Sequence, residues 1–227
     1  MKAVVKTREA PGAELVDLDV PEPGAGEVLV KLMAGSICGT DVHIYAWDPG
    51  ARVYIKNVPQ ILGHEFAGRI VEVGKGVERF KVGDHVSAET HIYCGECVQC
   101  RNDQRHICET GRIFGLTCNG CFAEYFTIPE RVLWKNSPQL PPETASIQEP
   151  LGNAVYCALG DYDKDLAGKS VFIVGDGPIA LMAAGVTKAE GARLAVILCR
   201  HERRMEIARA MGADRVLKDG RGIEETI

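Results

Sequence analysis

The sequence predicts an α/β protein in two parts, a β-rich barrel followed by the first half of a doubly wound parallel sheet. Two observations carry this: the punctuation of the first 150 residues, and a change of grammar after Lys169. In the first part, runs of five to nine residues, EVLVKLMAG from Glu27, FAGRIVEVG from Phe66, HVSAE from His85 and FAEYFTIP from Phe122, alternate with turns such as Pro23-Gly24 and Val82-Gly83-Asp84. Short strands separated by such turns fit a barrel. After Lys169 the order is an apolar strand (SVFIVG), a small-residue helix (Ile179 to Glu190), a second apolar strand (RLAVILC), a helix (Glu202 to Met211) and a short third strand (DRVLK). Strands that are apolar throughout and alternate with helices imply parallel pairing with both faces covered. Between the parts, PQLPP reads as a loop and Glu143 to Leu159 as a helix interrupted at Pro150. The expected domains are therefore 1–150 and 151–227.

Composition narrows the function. The chain has 227 residues, 46% hydrophobic and 25% charged, with a formal charge of -5. There is no basic field to recruit nucleic acid or an anionic membrane surface. Neither a signal-peptide core nor a run of 18 apolar residues is present, so a soluble cytoplasmic protein is expected. Nine cysteines, an odd number, in a reducing compartment point to metal ligands or buried thiols rather than disulfides.

Four of them, Cys94, Cys97, Cys100 and Cys108, are spaced C-x2-C-x2-C-x7-C. Four thiolates so close in sequence can enclose one tetrahedral Zn²⁺ with no open position, which is a structural site. Iron–sulfur ligation is the competing reading, but its compact spacing brings the fourth cysteine nearer and follows it with Pro, whereas Glu109 follows here. A second donor set is scattered: Cys38 in SICGTD, His64-Glu65 in GHEFAG, and Glu149 in QEPLGNAV. Thiolate, imidazole and carboxylate can together hold a Zn²⁺ that keeps a position for water or substrate.

The strings CGTD, GHEFAGRIVEVG and the four-cysteine lobe resemble the zinc-dependent medium-chain alcohol dehydrogenases over nearly the whole chain. CGTDVHIYAWD, AETHIYCGEC, GCFAEY and ASIQEPLGNAV are similar to the threonine-oxidising branch rather than the sorbitol or butanediol branch. The resemblance implies a GroES-like catalytic domain, a Rossmann domain, one catalytic and one structural Zn²⁺, a small-molecule substrate and a homotetramer. It implies oxidation of the 3-hydroxyl of L-threonine to 2-amino-3-oxobutanoate, with hydride passing to NAD or NADP. On matching positions, Cys38, His64 and Glu65 hold the catalytic zinc, Glu149 is an exchangeable ligand or a neighbour of one, and Thr40 and His43 relay the proton. Trp47 reads equally as a pocket-lining or a core aromatic.

Gly175-Asp176-Gly177-Pro178-Ile179-Ala180 is a G-x-G-x-x-A turn between strand and helix, the context in which glycines admit a pyrophosphate. Gly175, Gly177 and Ile179 are its expected coenzyme residues. Asp176 opposes this reading unless its carboxylate turns away from the phosphates. The acid expected at the end of the second strand is replaced by Cys199, followed by Arg200 and, further on, Arg204. That exchange predicts tolerance of NADP.

Cys118-x-x-Cys121 and Cys157 read as packing thiols, and His85, His91 and His106 as structural. From Lys169 to Ile227 there are 59 residues, against about 150 for a complete six-stranded dinucleotide domain. The sequence thus predicts a chain truncated relative to the family and poorly active alone. A polyol dehydrogenase and a non-catalytic zinc protein are the competing functions.

Overall fold

The computed structural model describes residues 1–55, 57–160 and 165–219. The chain divides into two compact units, Met1–Glu149 and Pro150–Ile227.

In the first unit the strands are β1 (Lys2–Lys6), β2 (Glu14–Asp17) and β3 (Glu27–Ser36), followed by helices α1 (Gly39–Ala46) and α2 (Ala51–Tyr54). Then come β4 (Gln60–Ile61), β5 (Glu65–Val73), β6 (His85–Ala88), β7 (His91–Ile92), α3 (Val98–Arg101), β8 (Arg112–Ile113), β9 (Tyr125–Pro129), β10 (Leu133–Lys135) and α4 (Pro142–Ser146). The main sheet has the order β10-β6-β5-β3-β9, a three-stranded sheet runs β2-β1-β4, and β7 pairs with β8. All these pairings are antiparallel. The four strands expected from sequence are present, although β9 begins at Tyr125 rather than Phe122.

Hydrophobic side chains from β3, β5 and β9 make the core: Val28, Val30, Phe66, Ile70, Phe126 and Ile128 are all buried. Phe66 packs edge-on against Phe126 with ring centroids 4.7 Å apart, and against Phe114 at 6.0 Å. Removing such a ring costs roughly 3 to 5 kcal/mol, so this cluster fixes the start of β5, where Glu65 sits. Gly68 marks the closest approach of β5 to β3, since a Cβ there would lie 2.3 Å from a Val30 methyl.

Helix α5 (Gln148–Leu159) spans the division between the units. The interruption expected at Pro150 falls instead at Ile147, between α4 and α5. Pro150 is the third residue of α5, where the backbone N–H has no intrahelical acceptor and its loss costs little.

The second unit contains β11 (Ser170–Val174), α6 (Pro178–Ala189), β12 (Leu194–Cys199), α7 (Glu202–Ala210) and β13 (Arg215–Lys218), each within one residue of its expected bounds. The strands are parallel in the order β11-β12-β13. One expectation fails among the described residues: the strands alternate in burial rather than being covered on both faces. Ala195, Ile197 and Cys199 are fully buried, with Ile197 and Cys199 packed with Leu181 and Ala208 of α6 and α7, while Val174 is 74% exposed.

Candidate metal centres and coenzyme turn

Cys38 ends β3's excursion and is the N-cap residue of α1, with extended backbone dihedrals. Its N–H donates to Asp41 Oδ2 at 2.9 Å, so the side chain three residues on closes the start of the helix. At the other end of α1, Trp47 stops the helix in a left-handed conformation. The Trp47 ring packs with Ile44, Ala51, Leu62 and Leu116, which makes it a core residue. Lys6, fully buried, donates to the carbonyls of Ala10, Gly12 and Ile44 and lies 4.8 Å from the Trp47 ring. Both ends of α1 are thereby anchored, which sets where Cys38 and Thr40 stand.

His64 follows Gly63, whose φ of +88° and contact with the Phe122 ring leave no room for a side chain. This turn delivers His64 and Glu65 into the interior, each 5% exposed. The ligand atoms of Cys38, His64 and Glu65 lie within 4.8 Å of one another. Glu65 Oε2 accepts a 2.6 Å hydrogen bond from Ser36 Oγ. Hydrogen bonding to His64 holds the Cys38 thiol below its usual range, with burial opposing it. Burial works against protonation of His64, but Cys38 and Asp41 outweigh it and raise the ring.

Two buried atoms lack a hydrogen-bond partner here, Asp41 Oδ1 and His64 Nδ1, and they face each other at 3.6 Å. A carboxylate behind one ring nitrogen orients the other toward a metal, as around ligating histidines generally. The donor set, one sulfur, one nitrogen and one oxygen with a carboxylate behind the imidazole, suits Zn²⁺. Asp41 was missed in the sequence reading, although it completes the CGTD string three residues after Cys38.

Glu149 stands outside the three-donor group. Its Oε1 accepts from Thr90 Oγ1 at 3.2 Å, and burial, with the neighbouring Glu65 and Glu89, raises its carboxyl above the usual range. Thr40 Oγ1 is 3.6 Å from Cys38 Sγ. His43, one helical turn further, is exposed and bonds Asp48 through Nδ1. Asp48 is held below the usual carboxylate range by that contact. His91, read as structural, bonds Glu89, and its ring is raised by that carboxylate, with Glu149 adding to the effect.

In the lobe, Cys94, Cys97, Cys100 and Cys108 form the second group of potential ligands within 4.8 Å. Backbone N–H groups of Glu96 and Cys97 point at Cys94 Sγ, at 3.4 and 3.3 Å, and that of Cys94 points at Cys108 Sγ at 3.3 Å. These donors lower the Cys94 thiol to about 6, whereas burial pushes Cys100 up to about 12. Thiolates gathered around N–H donors are the arrangement a closed zinc site needs. Cys118 and Cys121 lie outside both groups; Cys121 is fully buried and donates to the Glu65 carbonyl.

In the second unit, Gly175 adopts φ +119° and Gly177 caps α6, leaving Pro178 at the first helical position. Asp176 does turn away: Oδ2 accepts from the N–H groups of Arg200 and His201 at 2.9 and 2.8 Å, and Oδ1 from Arg204 at 3.1 Å. Those N–H donors hold its carboxyl far below the usual range. Cys199, at the end of β12, has its side chain fully buried in the core with Ile197 and Ala208. Ile179 is 42% exposed in the first turn of α6.

A model of the alcohol dehydrogenase GroES-like domain matches residues 24–139. An L-threonine 3-dehydrogenase of Pyrococcus abyssi is 52% identical over 217 residues, and one of Bacillus subtilis 48% over 213. These matches cover 96% and 94% of this chain; the chain spans 61% and 60% of the length of those relatives. Among solved structures, a zinc-binding dehydrogenase of Sinorhizobium meliloti bound to NADP superposes with a TM-score of 0.86 at 30% identity, covering 96% of this chain and 61% of that one. An alcohol dehydrogenase of Escherichia coli complexed with NADH gives 0.87 at 30%, covering 100% and 65%.

Proposed function

The chain belongs to the alcohol dehydrogenase GroES-like family, and from that premise we propose that it serves the oxidation of the 3-hydroxyl of L-threonine to 2-amino-3-oxobutanoate, with a nicotinamide coenzyme as hydride acceptor. The observation that carries the proposal is the convergence of Cys38, His64 and Glu65, with Asp41 behind the imidazole. Cys38, His64 and Glu65 would hold a catalytic Zn²⁺, and the four cysteines of the lobe a structural one. A bound zinc ion supplies Lewis acidity that lets an alcohol lose its proton near neutral pH.

The remaining roles fall to the chain's own groups. Thr40 Oγ1 receives the hydroxyl proton and passes it to His43, beside which the Asp48 carboxylate stays ionised. Loss of hydride from C3 then leaves the ketone. Glu89, held below the usual carboxylate range, keeps negative charge beside Glu149, which favours a substrate carrying an ammonium group over a neutral polyol. The names of the relatives favour the same substrate. The glycine turn after β11 would receive the coenzyme pyrophosphate, Asp176 being turned aside. A homotetramer, as the family resemblance implies, completes the reading.

The test is coenzyme reduction by the zinc-reconstituted chain. Turnover that depends on L-threonine and disappears in Cys38→Ser supports the proposal. Turnover with sorbitol or butane-2,3-diol but not threonine assigns the polyol branch instead. Two bound metal ions with neither turnover on any secondary alcohol nor a saturable effect of L-threonine on the metal held by Cys38 favour a non-catalytic zinc protein.

A further inference from the structure

We infer that the cavity at the carboxyl ends of β11 and β12 is built for an adenosine 2′-phosphate, so that NADP rather than NAD is the coenzyme this chain takes. The inference rests on the dinucleotide reading of the glycine turn and adds which of the two coenzymes it selects. The cavity has a volume of about 350 Å³ and is lined by Gly175, Asp176, Gly177, Arg200, His201 and Asp219, among others.

An NAD site needs a carboxylate with free oxygens for the two ribose hydroxyls. Position 199 has no carboxylate, and the Cys199 side chain faces the core. Asp176 is the next candidate, but its acceptor capacity is used. An ionised carboxylate offers about four lone-pair directions. Asp176 meets four donor groups: the N–H groups of Arg200 and His201, His201 Nδ1 at 2.8 Å, and Arg204 Nη1. It therefore acts as a positioning residue, fixing the backbone at the end of β12 and the His201 ring.

Arg200 is the cation over the cavity. Its guanidinium is held by Asp219 at 3.1 and 3.3 Å, with side chains 76% and 40% exposed. An ion pair so open to water is weak, and a dianionic phosphate offers Arg200 more charge and more acceptors than one carboxylate does. Asp219 thus acts as a stand-in that keeps Arg200 in place and yields it to a 2′-phosphate.

Isothermal titration of the chain with NADPH and NADH tests this. NADPH is expected to bind about tenfold more tightly or better, the scale of a charge-assisted contact. Arg200→Gln should bring NADPH down to the affinity of NADH, and Asp219→Asn should tighten NADPH by removing the competing carboxylate. Adenosine 2′,5′-bisphosphate should bind the unaltered chain more tightly than 5′-AMP, a comparison that needs no variant to fold. Equal or tighter binding of NADH, or loss of NADH affinity in Asp219→Asn, would overturn the inference and make Asp219 the ribose acceptor. If neither coenzyme binds, the dinucleotide reading itself fails and the inference with it.

Discussion

Asp41 Oδ1 lies 3.6 Å behind His64 Nδ1, both groups buried and neither otherwise paired on those atoms, while Asp41 Oδ2 takes the N–H of Cys38. One carboxylate therefore sets the position of two metal-ligand residues. Asp41→Asn keeps the shape but loses the charge that orients the imidazole. It is expected to weaken zinc binding at this site by roughly 10- to 100-fold, read by competition with a chromophoric chelator. Unchanged affinity would make Asp41 a helix cap and nothing more.

Lys6 ties the end of α1 to the Ala10–Gly12 turn through three carbonyls while fully buried. Lys6→Met keeps the stem and removes every donor. The expected cost is roughly 2 to 5 kcal/mol in urea unfolding, because buried acceptors are left unpaired. A loss under about 0.5 kcal/mol, the size of an ordinary surface substitution, would show that these contacts do not anchor the helix.

The two donor groups should lose metal independently. Cys38→Ser is expected to remove one ion per chain by elemental analysis, and Cys100→Ser the other. In Cys100→Ser the backbone of residues 94–108 should become sensitive to protease, since the thiolates are what gather it. One ion lost in both variants together would mean a single shared site.

Much of this centre was legible in the sequence because its signals are local. The four-cysteine spacing lies within 15 residues, and GHEFAG and CGTD each place ligand and turn residue side by side. Asp41 and Ser36 were not read, since their partners His64 and Glu65 are 23 and 29 residues away and only the fold joins them. Strands β4, β7, β8 and β10 have two or three residues each, too few for periodicity to register. That the Cys199 side chain faces the core was not legible, because strand position alone does not say which face a side chain takes.

Asp176 makes unit 2 sensitive to acid. Its carboxyl lies far below the ordinary value of 3.8 because backbone N–H groups and Arg204 favour the charged form. A carboxyl lowered on folding contributes stability that is complete above 3.8 and is lost as pH falls below it. The thermal midpoint should therefore drop on acidification through 3.8 and lower, and Asp176→Asn should flatten that limb. An identical acid limb in the variant would assign the sensitivity to other carboxyls.

The central claim is that Cys38, His64 and Glu65 form one metal site that takes the hydroxyl of L-threonine. Cobalt(II) placed at this site alone, with zinc kept in the four-cysteine lobe, reports on it through a thiolate charge-transfer band, which then exists only if Cys38 is a ligand. The account predicts a band that is lost in Cys38→Ser and shifts saturably with L-threonine but not with sorbitol; a band indifferent to both Cys38 and threonine would contradict it.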